Sequence, residues 1–140
     1  MKGNLTKALH TSISTYNIDE SIEWYRKHLG FELVEGPFYS PPLKTKLAYI
    51  ELNGYQIELF EYNEPKKIPD ERLLPYTDLQ TVGTKYVCFA IDSLSDIRNR
   101  FMEEDVEIVQ EAVMGDDQVM YIQDCNGVLI ELIQKPGKVC

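Results

Sequence analysis

One seven-residue pattern occurs twice in this chain: Asn53-Gly-Tyr-Gln-Ile-Glu58-Leu59 returns 73 positions later as Asn126-Gly-Val-Leu-Ile-Glu131-Leu132. Five of the seven positions agree, which chance rarely provides, so the chain reads as two copies of one supersecondary unit. Each copy is preceded by a short apolar run, Leu47–Leu52 in the first half and Val119–Gln123 in the second. Asn-Gly between two such runs is a strong hairpin signal, because both residues tolerate the positive φ that a tight turn requires. Each half is therefore expected to end in a β-hairpin.

The halves also begin alike. His10–Thr15 and Tyr86–Ile91 are strand-like runs, each followed by a helical pattern. In the first helix Ile18, Ile22, Tyr25 and Leu29 recur at near-helical spacing, with Asn17 or Asp19 as cap and Gly30 as stop. In the second, Ser93 caps and Leu94, Ile97 and Phe101 form the apolar face. After the helices, Phe31–Glu35 and Val106–Gln110 alternate as half-buried strands do. The order strand, helix, strand, strand, strand, taken twice, predicts an α+β fold with eight strands in one continuous sheet and two principal helices. With 140 residues, 44% of them hydrophobic, the chain is sized for a single domain over 1–140. Module one spans about 5–64 and module two about 83–135. Between them, residues 65–82 carry Pro65, Pro69 and Pro75 without clean periodicity and read as a linker or lid.

Twenty-three acidic against fourteen basic side chains leave a charge of −9, which repels phosphate backbones and excludes nucleic acid as a natural partner. No apolar run approaches the roughly 20 residues of a membrane-spanning helix, and the opening residues lack the apolar stretch of a signal peptide. The expectation is a soluble, cytoplasmic protein without a membrane partner. Cys88, Cys125 and Cys140 are odd in number and show no CxxC spacing, so they read as reduced, mostly structural thiols.

Strand alternation sorts the polar groups. His10, Ser12 and Ser14 share one face of the first strand, opposite Thr11 and Ile13. Glu58 lies on the opposite face from Ile57 and Leu59, and Glu131 repeats its position between Ile130 and Leu132. A mid-strand carboxylate among apolar neighbours is costly unless paired or bound to a cation, and here the arrangement occurs twice. His28, in the last turn of a helix beside Arg26 and Lys27, reads as structural, its charge meeting the helix dipole. Phe38, Tyr39, Tyr49, Tyr55, Phe60 and Tyr86 are the aromatic supply for a pocket. The loop from Gly36 to Pro42 and the segment from Arg72 to Thr81 are candidate covers, and Lys44, Arg72 and Lys85 are candidate contacts to an acidic substrate, though such lysines and arginines are ordinarily just solvated.

The stretch from His10 to Phe31, HTSISTYNIDESIEWYRKHLGF, resembles the opening of vicinal oxygen chelate proteins, the superfamily of glyoxalases, bleomycin-resistance proteins and extradiol dioxygenases. GTKYVCFAIDSL and YIQDCNGVLIELIQ in the second half match as well, and the similarity runs from about residue 5 to 135. The resemblance implies two tandem βαβββ modules forming a U-shaped, cup-like mixed sheet around a divalent metal. The ligands come from the first and last strands of each module. His10, Glu58 and Glu131 match three ligand positions. At the fourth this chain departs from the family's GxxHVAF, with Gly83-Thr-Lys-Tyr86-Val-Cys-Phe89. Tyr86 is thus a doubtful metal ligand, because a phenol must lose a proton of pKa about 10 before it coordinates well. Its alternatives are a proton donor to substrate or a pocket wall.

A metal-dependent isomerase or lyase acting on a small molecule with adjacent oxygens is the activity implied, with Zn, Ni, Mn or Fe as the cofactor, Glu131 as base and Tyr86 as its catalytic companion. A second histidine, which the dioxygenase branch uses, is missing, and no dedicated glutathione site is legible. The rival implied by the same resemblance is a metal-free protein that sequesters a small molecule, as bleomycin-resistance proteins do. A homodimer is the assembly implied.

Overall fold

A computed structural model of the protein describes residues 3–136, so Cys140 lies outside the described residues. The chain divides into two compact units, Met1–Pro65 and Lys66–Cys140. In the first, β1 (His10–Thr15) leads into α1 (Ile18–Leu29), then β2 (Glu32–Ser40), β3 (Thr45–Leu52) and β4 (Tyr55–Glu61). In the second, β5 (Val87–Ala90) leads into α3 (Leu94–Glu103), then β6 (Glu107–Met114), β7 (Asp117–Gln123) and β8 (Leu129–Gln134). A 3₁₀ turn over Asp70–Arg72 and a short helix α2 (Pro75–Asp78) precede β5. The α+β class and the two βαβββ modules are as the repeat predicts. The eight strands, however, hydrogen-bond as two four-stranded mixed sheets, ordered β1-β4-β3-β2 and β5-β8-β7-β6, and not as one continuous sheet.

Both modules are built in the same way. The helix carries the chain across the sheet, and the β2-β3-β4 meander brings β4 back beside β1, parallel to it. In the second module β8 returns beside β5 in the same sense. Asn17 caps α1 by accepting from the Glu20 amide, and Ser93 caps α3 by accepting from that of Asp96. Asp19 therefore lies inside the first turn and is not the cap. The first amide of each helix is also tied to the last strand of its own module: Ile18 N donates to Glu61 Oε1 at 2.7 Å and Leu94 N to Gln134 Oε1 at 2.6 Å. These bonds satisfy donors that a helix leaves unpaired. Gly30, at φ 80, ends α1 in the left-handed conformation that glycine adopts without strain.

Ile18, Tyr25, Phe31, Ala48, Ile50, Ile57 and Leu59 form the core of module one, and Leu94, Phe101, Val119, Met120, Ile122, Ile130 and Leu132 that of module two. The buried face of α1 is rotated from the expected one. Ser21 and His28 are buried with Ile18 and Tyr25, while Ile22 and Leu29 are half-buried. His28 is buried at the helix end, and its ring lies 5.1 Å from that of Trp24.

Two further expectations are corrected. Gly36–Ser40 is no loop: β2 runs through it, paired to β3 as far as Ser40, with irregularities in register around Gly36. Nor does β2 alternate in burial, since its outer edge is unpaired and nearly all of it is exposed. The segment read as a linker or lid makes polar contacts within the second unit. Arg72 Nε donates to Asp78 Oδ1 at 2.9 Å, Lys85 Nζ reaches the backbone oxygen of Asp78 at 2.6 Å, and Gln123 donates to the Leu73 carbonyl at 2.7 Å.

Candidate functional site

In module one, parallel pairing of β1 with β4 sets Ser12 opposite Glu58, and antiparallel pairing of β3 with β4 sets Tyr49 opposite the same residue. Side chains at paired positions share a face. Glu58 accepts from Ser12 Oγ at 2.9 Å through Oε1 and from Tyr49 Oη at 2.5 Å through Oε2. His10, two residues from Ser12 on the same face, brings Nε2 to 3.3 Å from Glu58 Oε1. The imidazole also meets the Tyr49 ring edge-on, with centroids 5.5 Å apart. The hydrogen bond to Glu58, with burial second, pushes the Tyr49 phenol up to about 12, so near neutral pH it is a donor.

Module two repeats the arrangement with different side chains. Cys88 stands opposite Glu131 on β5, and Tyr121 stands opposite it on β7. Glu131 is 8% exposed and Tyr121 6%. Burial, and then the neighbouring Glu131 carboxylate and Tyr86 hydroxyl, raise the Tyr121 phenol well above its ordinary value. The rings of Tyr86 and Tyr121 meet edge-on at 5.3 Å, as those of His10 and Tyr49 do. Partial enclosure of the Cys88 thiol, and then the Glu131 carboxylate opposite it, push it up to about 12. Tyr86 thus takes the place of His10, Cys88 that of Ser12, Tyr121 that of Tyr49, and Glu131 that of Glu58.

The structure brings His10 to Glu58 in one module; in the other, Tyr121 stands opposite Glu131 with its ring against that of Tyr86. Among the described residues, no three or more His, Cys, Asp and Glu side chains gather as a metal-ion cluster. The donor chemistry in module one nevertheless suits a cation. Two ligands at about 2.0–2.2 Å from one metal stand about 3.0–3.5 Å from each other, and the His10–Glu58 separation falls in that range. Every carboxylate oxygen of Glu58 also has a neutral donor, so the group is satisfied without a metal.

Sequence reasoning did not identify Tyr121 or Cys88, and it read Tyr49 only as pocket lining. Tyr-Ile recurs at the fifth and sixth positions of β3 and β7, Tyr49-Ile50 and Tyr121-Ile122. Counting across the Asn53-Gly54 turn places Tyr49 opposite Glu58, whereas the second turn is longer and its pairing sets Tyr121 opposite Glu131. Other expected contacts fall elsewhere. Arg72 and Lys85 are committed to buried Asp78, and Lys44 lies in a turn at φ 55. Phe38 and Tyr39 are exposed on β2. Tyr55 is hydrogen-bonded to Thr11. Cys88 and Cys125 are exposed.

Comparison with known proteins agrees with this architecture. The model of the Glyoxalase/Bleomycin resistance protein/Dioxygenase superfamily matches residues 7–132. A curated relative, "Glyoxylase I 4" of Arabidopsis thaliana, is 26% identical over 133 residues, covering 92% of this chain and 71% of its own. A glyoxalase family protein from Enterococcus faecalis superposes with a TM-score of 0.74 at 18% identity, over 91% of this chain and 96% of its own. The trypanothione-dependent glyoxalase I of Leishmania major superposes with a TM-score of 0.72 at 20% identity, over 94% and 88% of the two chains.

Proposed function

This chain belongs to the glyoxalase/bleomycin resistance protein/dioxygenase superfamily, and we propose that it is a glyoxalase-like, divalent-metal-dependent isomerase or lyase acting on a small molecule with adjacent oxygens. The observation that carries the proposal is the repetition of a mid-strand carboxylate, Glu58 and Glu131, each set in the same arrangement of hydroxyl or thiol, phenol and ring. One such group is explained by local packing; two at equivalent positions point to a shared task.

The donors offered to the cation are His10 with Glu58 in module one and Glu131 in module two, with Zn, Ni, Mn or Fe as candidates. When bound, the metal supplies positive charge where a substrate oxygen becomes negative. Glu131 is the proposed base: a buried carboxylate that accepts a proton from carbon and returns it to the neighbouring carbon. Tyr86 is assigned a hydrogen bond toward substrate, and only doubtfully a place on the metal. A homodimer in the cytoplasm is the setting proposed.

A second reading is favoured by one observation, that both oxygens of the Glu58 carboxylate already find neutral donors within their own module. In that reading the protein sequesters a small molecule without metal. Metal content of the purified protein, with calorimetric titration of each divalent ion, decides between them. The proposal expects stoichiometric metal in the parent and at least a tenfold loss of affinity in Glu58→Gln and Glu131→Gln. A parent that binds no divalent ion, with binding created by Tyr86→His, refutes the metal-dependent enzyme and leaves the sequestering protein.

A further inference from the structure

We propose that Tyr121 is a positioning residue that holds Glu131 against Tyr86, and that Tyr49 does the same for Glu58 and His10. This rests on reading the two glutamates as functional donors, and it adds residues which that reading does not require. Four observations carry it. Each tyrosine lies directly across an antiparallel pair from its glutamate. Tyr49 Oη donates to Glu58 Oε2 at 2.5 Å, and Tyr121 and Glu131 are buried side by side. Each ring packs edge-on against the ring at the start of the module's first strand, at 5.5 Å from His10 and 5.3 Å from Tyr86. The two units reached this arrangement with a different partner ring, imidazole in one and phenol in the other.

A carboxylate on a sheet face has several rotamers, and on a mostly apolar strand each must find donors or water. The phenol opposite removes that freedom. It occupies one carboxylate oxygen of Glu58 while Ser12 takes the other. In module two Tyr121 stands across the strand pair from Glu131 while its ring packs against that of Tyr86. The ring supplies packing and the hydroxyl supplies orientation, so Tyr→Phe separates the two.

The test uses the full-length protein as parent, Tyr49→Phe and Tyr121→Phe, each checked for fold by circular dichroism. The first readout is the side-chain carboxyl ¹³C resonance of Glu58 and Glu131 at one neutral pH, assigned with Glu58→Gln and Glu131→Gln. The second is affinity for Co²⁺, a visible-absorbing divalent probe. Tyr49→Phe is expected to move only the Glu58 resonance and Tyr121→Phe only that of Glu131, each with at least a fivefold loss of Co²⁺ affinity. Should a Phe variant not fold, the H₂O-to-D₂O isotope shift on the carboxyl carbons of the parent reports the donors without substitution, and its absence overturns the proposal. If the resonances move but the parent itself binds no Co²⁺, the positioning role stands and the metal reading falls. Unmoved resonances overturn the proposal whatever the metal does, and so does moved resonance with Co²⁺ affinity unchanged.

Discussion

Replacing Asp78 by alanine should be among the most damaging single changes in the second module. Its side chain is 2% exposed and accepts from Arg72 Nε at 2.9 Å, with Lys85 Nζ at 3.4 Å. Removing one partner of a buried ion pair costs about 3–5 kcal/mol, because the remaining charge is left uncompensated. Two features lower that figure here. Arg72 is 40% exposed and can rehydrate, and both cations keep a backbone acceptor, Arg72 at Thr84 and Lys85 at residue 78 itself. The expected loss is about 2–3 kcal/mol, and about half that for Asp78→Asn, whose amide oxygen still accepts from Arg72. For a chain of this length such a loss lowers Tm by roughly 6–12 °C. Urea denaturation and calorimetry measure both quantities. A loss under about 1 kcal/mol for Asp78→Ala would refute the argument that these charges pin the segment before β5, and would return Arg72 and Lys85 to the pool of side chains free to meet a ligand.

Gly36→Ala is expected to destabilise module one by about 2–4 kcal/mol, from strain at positive φ and overpacking together: φ is 85 and a Cβ would stand 2.7 Å from the Leu47 carbonyl oxygen. Chemical denaturation checks it, with Gly54→Ala, which meets nothing within 4 Å at a similar φ, separating strain from collision. At high pH the protein should weaken. Tyr49 holds its proton from an ordinary 10.0 up to about 12, so between those values the folded state binds more protons than the unfolded one and stability falls as pH rises. Thermal melts between pH 9 and 12 should show this slope, shallower by as much as one proton in Tyr49→Phe; an unchanged slope in the variant refutes the assignment.

The repeat made most of the fold legible, because hairpin turns, helix caps and alternation all act over a few residues. Asn17, Ser93, Gly30 and the Asn53-Gly54 turn could be read in this way, and so could His10 and the two glutamates on their strands. What escaped was set by contacts distant in the chain. Ser21 and His28 are buried because α1 packs against β2, β3 and β4, which its own periodicity does not specify. Gly36–Ser40 looked like a loop because Gly and Pro punctuate strands as readily as turns, yet pairing with β3 holds it extended. Tyr121 was overlooked because the second turn is longer than the first. Leu52 pairs with Tyr55 across Asn53-Gly54, whereas Gln123 pairs with Leu129 around a loop in which Asp124 accepts from the amides of Asn126 and Val128.

The duplicated arrangement makes the molecule its own control. At positions 10 and 86, 12 and 88, 49 and 121, and 58 and 131, near-identical local scaffolds carry either the same side chain or a different one. Exchanging His10 with Tyr86, or Ser12 with Cys88, therefore changes the chemistry while strand register and opposing phenol stay constant. Whatever differs between the halves after such an exchange belongs to the functional groups, and whatever does not belongs to the scaffold.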